Sequence, residues 1–122
     1  MGYESKLYVV EKANRYMNED MRYCQVIAMF DLCKFYPLSC NISHYPKTEC
    51  YFYADDGNTK VLEDKYGEPL KEIPIEDVID ILEENLYNGS DYRRIYPILS
   101  MLKEFERKKN QWGELAVLHY GY

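Results

Sequence analysis

The stretch Glu114-Leu115-Ala116-Val117-Leu118-His119-Tyr120-Gly121-Tyr122, "ELAVLHYGY", decides how the chain is read. Polar, frayed segments are the rule near chain ends. Here Leu115, Val117 and His119 alternate with Ala116, Leu118 and Tyr120, so both faces of an extended segment are fairly apolar. A strand buried on both faces belongs inside a sheet, where trimming it removes ladder hydrogen bonds and core contacts together. The segment is therefore expected to be a core strand, inserted between earlier strands.

Working outward, "YESKLYVVEK" (Tyr3 to Lys12) alternates loosely, carries Val9 and Val10, and reads as a strand. "YCQVIAMFDLCKF" (Tyr23 to Phe35) is apolar almost throughout. Periodicity alone leaves strand and helix both open there. Its Tyr, Val, Ile and Phe favour a strand paired antiparallel with the first. "ANRYMNEDMR" between them is a polar connector, and "YPLSCNISHYPKT", with Pro37 and Pro46, reads as a loop.

"ECYFYADDGNTKVLED" (Glu49 to Asp64) carries the clearest local signal, two extended runs around Asp56-Gly57. Asp-Gly favours a type I′ hairpin turn, because both central residues there need positive φ. A helix follows, with Pro74 near its first turn, Glu76 and Asp77 suited to the dipole, and Gly89 as its C-terminal cap. Its buried stripe is Val78, Ile79, Ile81, Leu82 and Leu86. Ser90 or Asp91 can cap a second helix, in which Ile95, Leu99, Leu102 and Phe105 share one face. Pro97 must then lie in its first turn or kink it. Together these signals predict one α+β domain over residues 1–122. It has an antiparallel sheet of four to five strands, two helices on one face, and the C-terminal strand central or near-central.

The chain has 122 residues, 47% hydrophobic and 30% charged, which suits a single globular domain with a real core. No apolar run approaches the roughly 20 residues of a membrane span. The opening "MGYESKLYVV" lacks the pattern of a secretory leader, and Lys6 stands where a myristoylation signal takes Ser or Thr. A cytoplasmic protein is expected. Four cysteines, Cys24, Cys33, Cys40 and Cys50, are then free thiols rather than a disulfide framework. Cys33, Cys40, His44 and Cys50 offer zinc-type donors, but they contain no C-x-x-C pair. No cofactor is expected.

The termini and centre, "MGYESKLYVVEK", "YADDGNTKVLEDKYGEPLKEIP" and "VLHYGY", resemble small uncharacterised proteins encoded by bacteriophages and prophages. The resemblance implies an accessory protein acting in the host cell. It brings no catalytic or binding residues with it.

No phosphate loop, G-x-S-x-G or H-E-x-x-H motif occurs. His119 could pair with a cysteine as a nucleophile, but geometry is what identifies such pairs; otherwise it is a packed strand residue. Charge is more informative. Residues 54–84 hold eleven acids against three lysines, a net of −8, whereas residues 91–109 are net +3 with six bases against three acids. On the first helix Glu76, Asp80, Glu83 and Glu84 fall near one exposed face, and Asp55 and Asp56 sit at the hairpin turn. Carboxylates spaced like phosphates can occupy a cleft lined with Lys and Arg. That suggests a non-enzymatic inhibitor of a host defence nuclease such as a CRISPR effector. The protein would bind that enzyme and no nucleic acid itself. A solvated acidic surface accounts for the same residues.

Fourteen tyrosines form the second signal, with Tyr16, Tyr36, Tyr66 and Tyr87 among those outside obvious core positions. Tyrosine is enriched at interfaces, so the alternative is a phage structural or assembly protein, or a homo-oligomer joined through these rings. Clustering of Asp55, Asp56, Asp80, Glu83 and Glu84 would mark the inhibitor. Tyr16, Tyr36 and Tyr87 across a symmetric contact would mark the oligomer. A cysteine within reach of a histidine in a cleft would mark a thiol enzyme.

Overall fold

The computed structural model describes residues 4–12, 22–86, 92–109, 111 and 113–122. Among them are six strands: β1 (Ser5–Lys12), β2 (Arg22–Cys33), β3 (Cys50–Tyr53), β4 (Lys60–Val61), β5 (Lys71–Ile73) and β6 (Leu115–Gly121). Three helices accompany them: α1 (Tyr36–Ser39), α2 (Ile75–Glu84) and α3 (Tyr92–Lys108). The class is α+β, as expected. The stretch read as a loop holds α1 and a 3-10 turn at Ile42–His44, seeded by Pro37 in the first turn of α1. No helix among the described residues is long and apolar enough to cross a membrane.

The sheet order is β4-β3-β2-β1-β6-β5. β6 lies inside the sheet, antiparallel to β1 on one side and to β5 on the other, with Val117 opposite both Val9 and Ile73. β2 is a strand and pairs antiparallel with β1, with a bulge near Ile27, since Val9 faces Ala28 and Val10 faces Val26.

One junction corrects the expected all-antiparallel sheet. β3 pairs parallel to β2, through Arg22 with Cys50 and Tyr23 with Tyr51. The cause lies in the preceding residues, 46–48, which hydrogen-bond to the far edge of the sheet. Thr48 N donates to Leu70 O at 2.9 Å, and Glu72 N donates to Pro46 O at 2.9 Å. Residues 46–53 thus join β5 to β2 and roll the sheet into a ring of β3, β2, β1, β6 and β5, with β4 hanging outside on β3. A closed ring with an odd number of strands cannot alternate direction throughout. One pair must be parallel.

Rolling gives the sheet two cores. Inside the ring are Val10, Cys24, Cys50, Phe52, Leu70, Ala116 and Leu118. Outside, Leu7, Val9, Leu32, Ile73 and Val117 pack against the helices. Val9 and Val10 are both fully buried because they point into different cores. α2 begins at Pro74, its N-cap, and buries Ile75, Val78, Ile79 and Leu82 at helical spacing, with Ile81 half-buried. α3 buries Ile95, Ile98, Leu99, Leu102 and Phe105. Pro97 lies inside α3 rather than in its first turn, on the exposed side. The expected caps Gly89, Ser90 and Asp91 lie outside the described residues.

Candidate functional site

The hairpin β3–β4 forms as expected, but its turn is longer than type I′. Ala54 N donates to Thr59 O at 2.8 Å and Gly57 N donates to Ala54 O at 2.9 Å, so six residues make the loop. Only Gly57, at φ 73°, takes the left-handed region. Asp56 instead holds the loop through its side chain. Its Oδ1 accepts from Asn58 N (2.8 Å) and Thr59 N (2.9 Å), and its Oδ2 accepts from the Thr59 hydroxyl (2.6 Å). These bonds, led by the hydroxyl, bring its carboxyl down to about 2.

Next to that turn, Tyr23, Tyr51 and Tyr53 stand on the outer face of β2 and β3 with their ring centroids 5.7 to 5.9 Å apart pairwise. Parallel pairing in register puts Tyr23 beside Tyr51, and the two-residue repeat adds Tyr53. Lys60 on β4 places its ammonium 4.5 Å from the Tyr51 ring centre. Tyr23 is 38% exposed and Tyr53 40%, and on the same wing Ile27, Met29 and Leu62 are exposed as well.

The predicted acidic residues divide between two layers. Asp55 and Asp56 belong to the hairpin turn. Glu76, Asp80, Glu83 and Glu84 are exposed on α2, where α3 supplies counter-charge: Lys103 lies 3.3 Å from Glu83 and Lys109 lies 4.0 Å from Glu76. Of the predicted tyrosines, Tyr36 is 76% exposed and Tyr66 is 53% exposed, while Tyr16 and Tyr87 lie outside the described residues.

Tyr36 borders a cavity of about 560 Å³, together with Cys40, Asp64, Glu68, Lys71 and His119. Tyr66 occupies the turn between Asp64 and Glu68, held by Asp64 Oδ1 accepting from Tyr66 N (2.8 Å) and Glu68 N (3.1 Å). His119 reaches the cavity from β6 but is 2% exposed, and its Nε2 lies 2.9 Å from the Ser5 hydroxyl oxygen. Burial lowers its pKa to about 4, against the opposing pull of Asp64, so the ring is neutral at pH 7. Cys40 shares the cavity, yet its thiol donates to Pro37 O at 3.7 Å rather than to His119. The arrangement is a packed Ser-His contact at a strand end, with a thiol nearby that is turned elsewhere.

A second polar group lies at the opposite end of the ring and escaped the reading of the sequence. Lys12 Nζ lies 3.0 Å from Glu72 Oε2 and 3.7 Å from Glu114 Oε1. Glu72 Oε1 accepts from the Thr48 hydroxyl at 3.0 Å, and Thr48 Oγ1 accepts from Cys50 N at 3.0 Å. Lys12 and Glu72 come from strands that β6 separates, so the pair spans the ring. Among the described residues no group of three or more His, Cys, Asp or Glu side chains is arranged to hold a metal ion, so Cys33, Cys40, His44 and Cys50 do not gather. Comparisons with protein-family models, with curated proteins and with solved structures find no match.

Proposed function

We propose that this chain is a non-enzymatic, phage-type protein-binding module that works in the host cytoplasm, and that its contact surface is the β2–β3–β4 wing. The observation that carries this is the cluster of Tyr23, Tyr51 and Tyr53 on the outer face of β2 and β3, in which Tyr23 and Tyr53 stay open to water. Aromatic rings gathered at a surface are typical of partner sites. Tyrosine rings in mutual contact lose little freedom on binding, which suits an interface centre. Asp55 and Asp56 border this centre and favour a partner with a basic rim. A nucleic-acid enzyme of the host, such as a defence nuclease, has such a rim. The α2 carboxylates are the weaker candidate, because Lys103 and Lys109 already offset Glu83 and Glu76.

The test is capture from bacterial lysate at low and high salt with three tagged forms: wild type, Tyr23→Ala/Tyr53→Ala, and Asp80→Lys/Glu83→Lys/Glu84→Lys. A nucleic-acid enzyme retained by wild type and by the α2 variant, but lost by the tyrosine variant, supports the wing. Loss with the α2 variant and at high salt moves the contact to the acidic helix. Capture of the chain by itself, with a mass that rises with concentration in light scattering, replaces both by a homo-oligomer joined through its tyrosines.

A further inference from the structure

Along β1 and β6 the two-residue repeat carries one row of side chains from the inside of the ring out to its mouth. Val10, Ala116 and Leu118 fill the interior. Further along the same face come Tyr8, Tyr120 and Lys6, with Tyr8 paired to Leu118 and Lys6 to Tyr120. On β2 the bulge brings Met29 opposite Tyr8. The ring thus opens into a cup of about 450 Å³, bordered by Lys6, Tyr8, Met29, Phe52, Asp55 and Tyr120 among others. The Tyr8 ring lies 4.7 Å from Phe52 at 36° and 6.2 Å from Tyr120 at 78°, so three aromatic walls are inclined to one another. Tyr8 and Tyr120 are half-buried and Met29 is exposed, which leaves the cup open to water.

We propose that this mouth binds a small organic cation, an ammonium with apolar substituents such as a quaternary amine. Aromatic faces attract a cation, and more strongly where apolar walls displace its water. The chain already uses that attraction nearby, since the ammonium of Lys6 lies 4.5 Å from the Tyr122 ring centre and that of Lys60 lies 4.5 Å from Tyr51. Lys6 is thereby held at the rim, over a ring whose hydroxyl donates to both Asp31 oxygens at 2.6 and 2.7 Å. Asp55 brings a carboxylate to the cup. It belongs to residues 54–84, where eleven acids against three lysines give a field that draws cations and repels anions. Burial raises the Tyr8 pKa, and Tyr120, Asp55 and Asp31 push it the same way, so this negative field reaches the aromatic wall. A partner's lysine head would leave most of the 450 Å³ empty, whereas cavities of roughly 300–1,000 Å³ suit small molecules.

The probe is choline, set against the alcohol in which carbon replaces the choline nitrogen, which has the same shape and no charge. Both are titrated into the full chain with isotope-labelled methionine methyl groups, and NMR follows Met29, assigned by the signal that Met29→Leu removes. The expected result is a saturable shift of Met29 with choline, at an affinity about tenfold above that of the alcohol. Asp55→Asn, on an exposed turn outside both cores, should weaken choline about threefold and leave the alcohol unchanged. Tyr120→Leu keeps apolar bulk and removes a ring, and should weaken choline about fivefold while the other methionine signals stay in place. Equal affinity for the two compounds, no saturable shift of Met29 with choline, or a stronger response to benzoate through Lys6 would each overturn the proposal. The assay contains no protein partner, so either result leaves the reading of the β2–β3–β4 wing untouched.

Discussion

His119 shows what a single side chain can make of pH. Its imidazole is neutral in the folded protein because burial lowers its pKa to about 4, while in the unfolded chain it titrates near 6.5. Between those values the unfolded state binds the extra proton, so stability should be complete above about pH 6.5 and drain away as pH falls toward 4. The shift is worth about 3 kcal/mol at its limit. Urea unfolding at pH 7 and pH 4.5 checks this: wild type should lose about 2 kcal/mol more than His119→Gln over that interval. Equal losses would place the acid sensitivity elsewhere. The sequence marked His119 as a packed strand residue, since it alternates with Leu118 and Tyr120. Its partner could not be read there. Ser5 lies 114 positions away, and only the β1–β6 register brings the two together.

The elements were more legible than their joints. Apolar spacing located α2, α3, β1 and β6, because a buried stripe follows the period of its own backbone, whereas in β2 periodicity left helix and strand open and only its Tyr, Val, Ile and Phe favoured the strand. Leu102 is fully buried on α3, and Leu102→Ala should cost about 3 kcal/mol in chemical denaturation with the slope unchanged. The hairpin was recognised from Asp56-Gly57, but the turn type was not. A type I′ turn needs positive φ at both central residues, and Asp56 uses its carboxylate to stabilise a wider loop instead. Gly57 still carries the left-handed conformation, in open space with nothing within 4 Å of an added Cβ. Gly57→Ala should therefore cost only the backbone term, about 1 kcal/mol, and calorimetry should show a modest fall in Tm. A larger loss would mean that the turn makes contacts beyond its own residues. Tyr36 shows why site residues are harder still: its flanking sequence suggests exposure, and only the folded loops place it beside Cys40, Asp64 and His119 around one cavity.

At the scale of the molecule, an antiparallel sheet of four to five strands was expected, and a rolled, mixed sheet of six is found among the described residues. Alternation patterns report which faces are buried, and say nothing of whether two edges meet. Nothing in the sequence singles out Lys12, Thr48 and Glu72, yet ring closure gathers them into one network. Lys12 has only 9% of its side chain exposed, so Lys12→Met leaves Glu72 without its cation and should cost about 3 kcal/mol. Adding Glu72→Gln should recover part of that loss, as measured by a double-mutant cycle in urea. Strict additivity would show that the pair does not couple across the ring. Closure also bears on how the protein is made. β6 follows every other element in sequence order, yet it fills the gap between β1, the earliest strand, and β5. While a ribosome is still translating residues 115–121, both flanking strands present unpaired edges, and the wall cannot seal until that segment is free. Newly synthesised chains would thus depend on late, long-range pairing, which is slow, and would meet chaperones before they meet a partner.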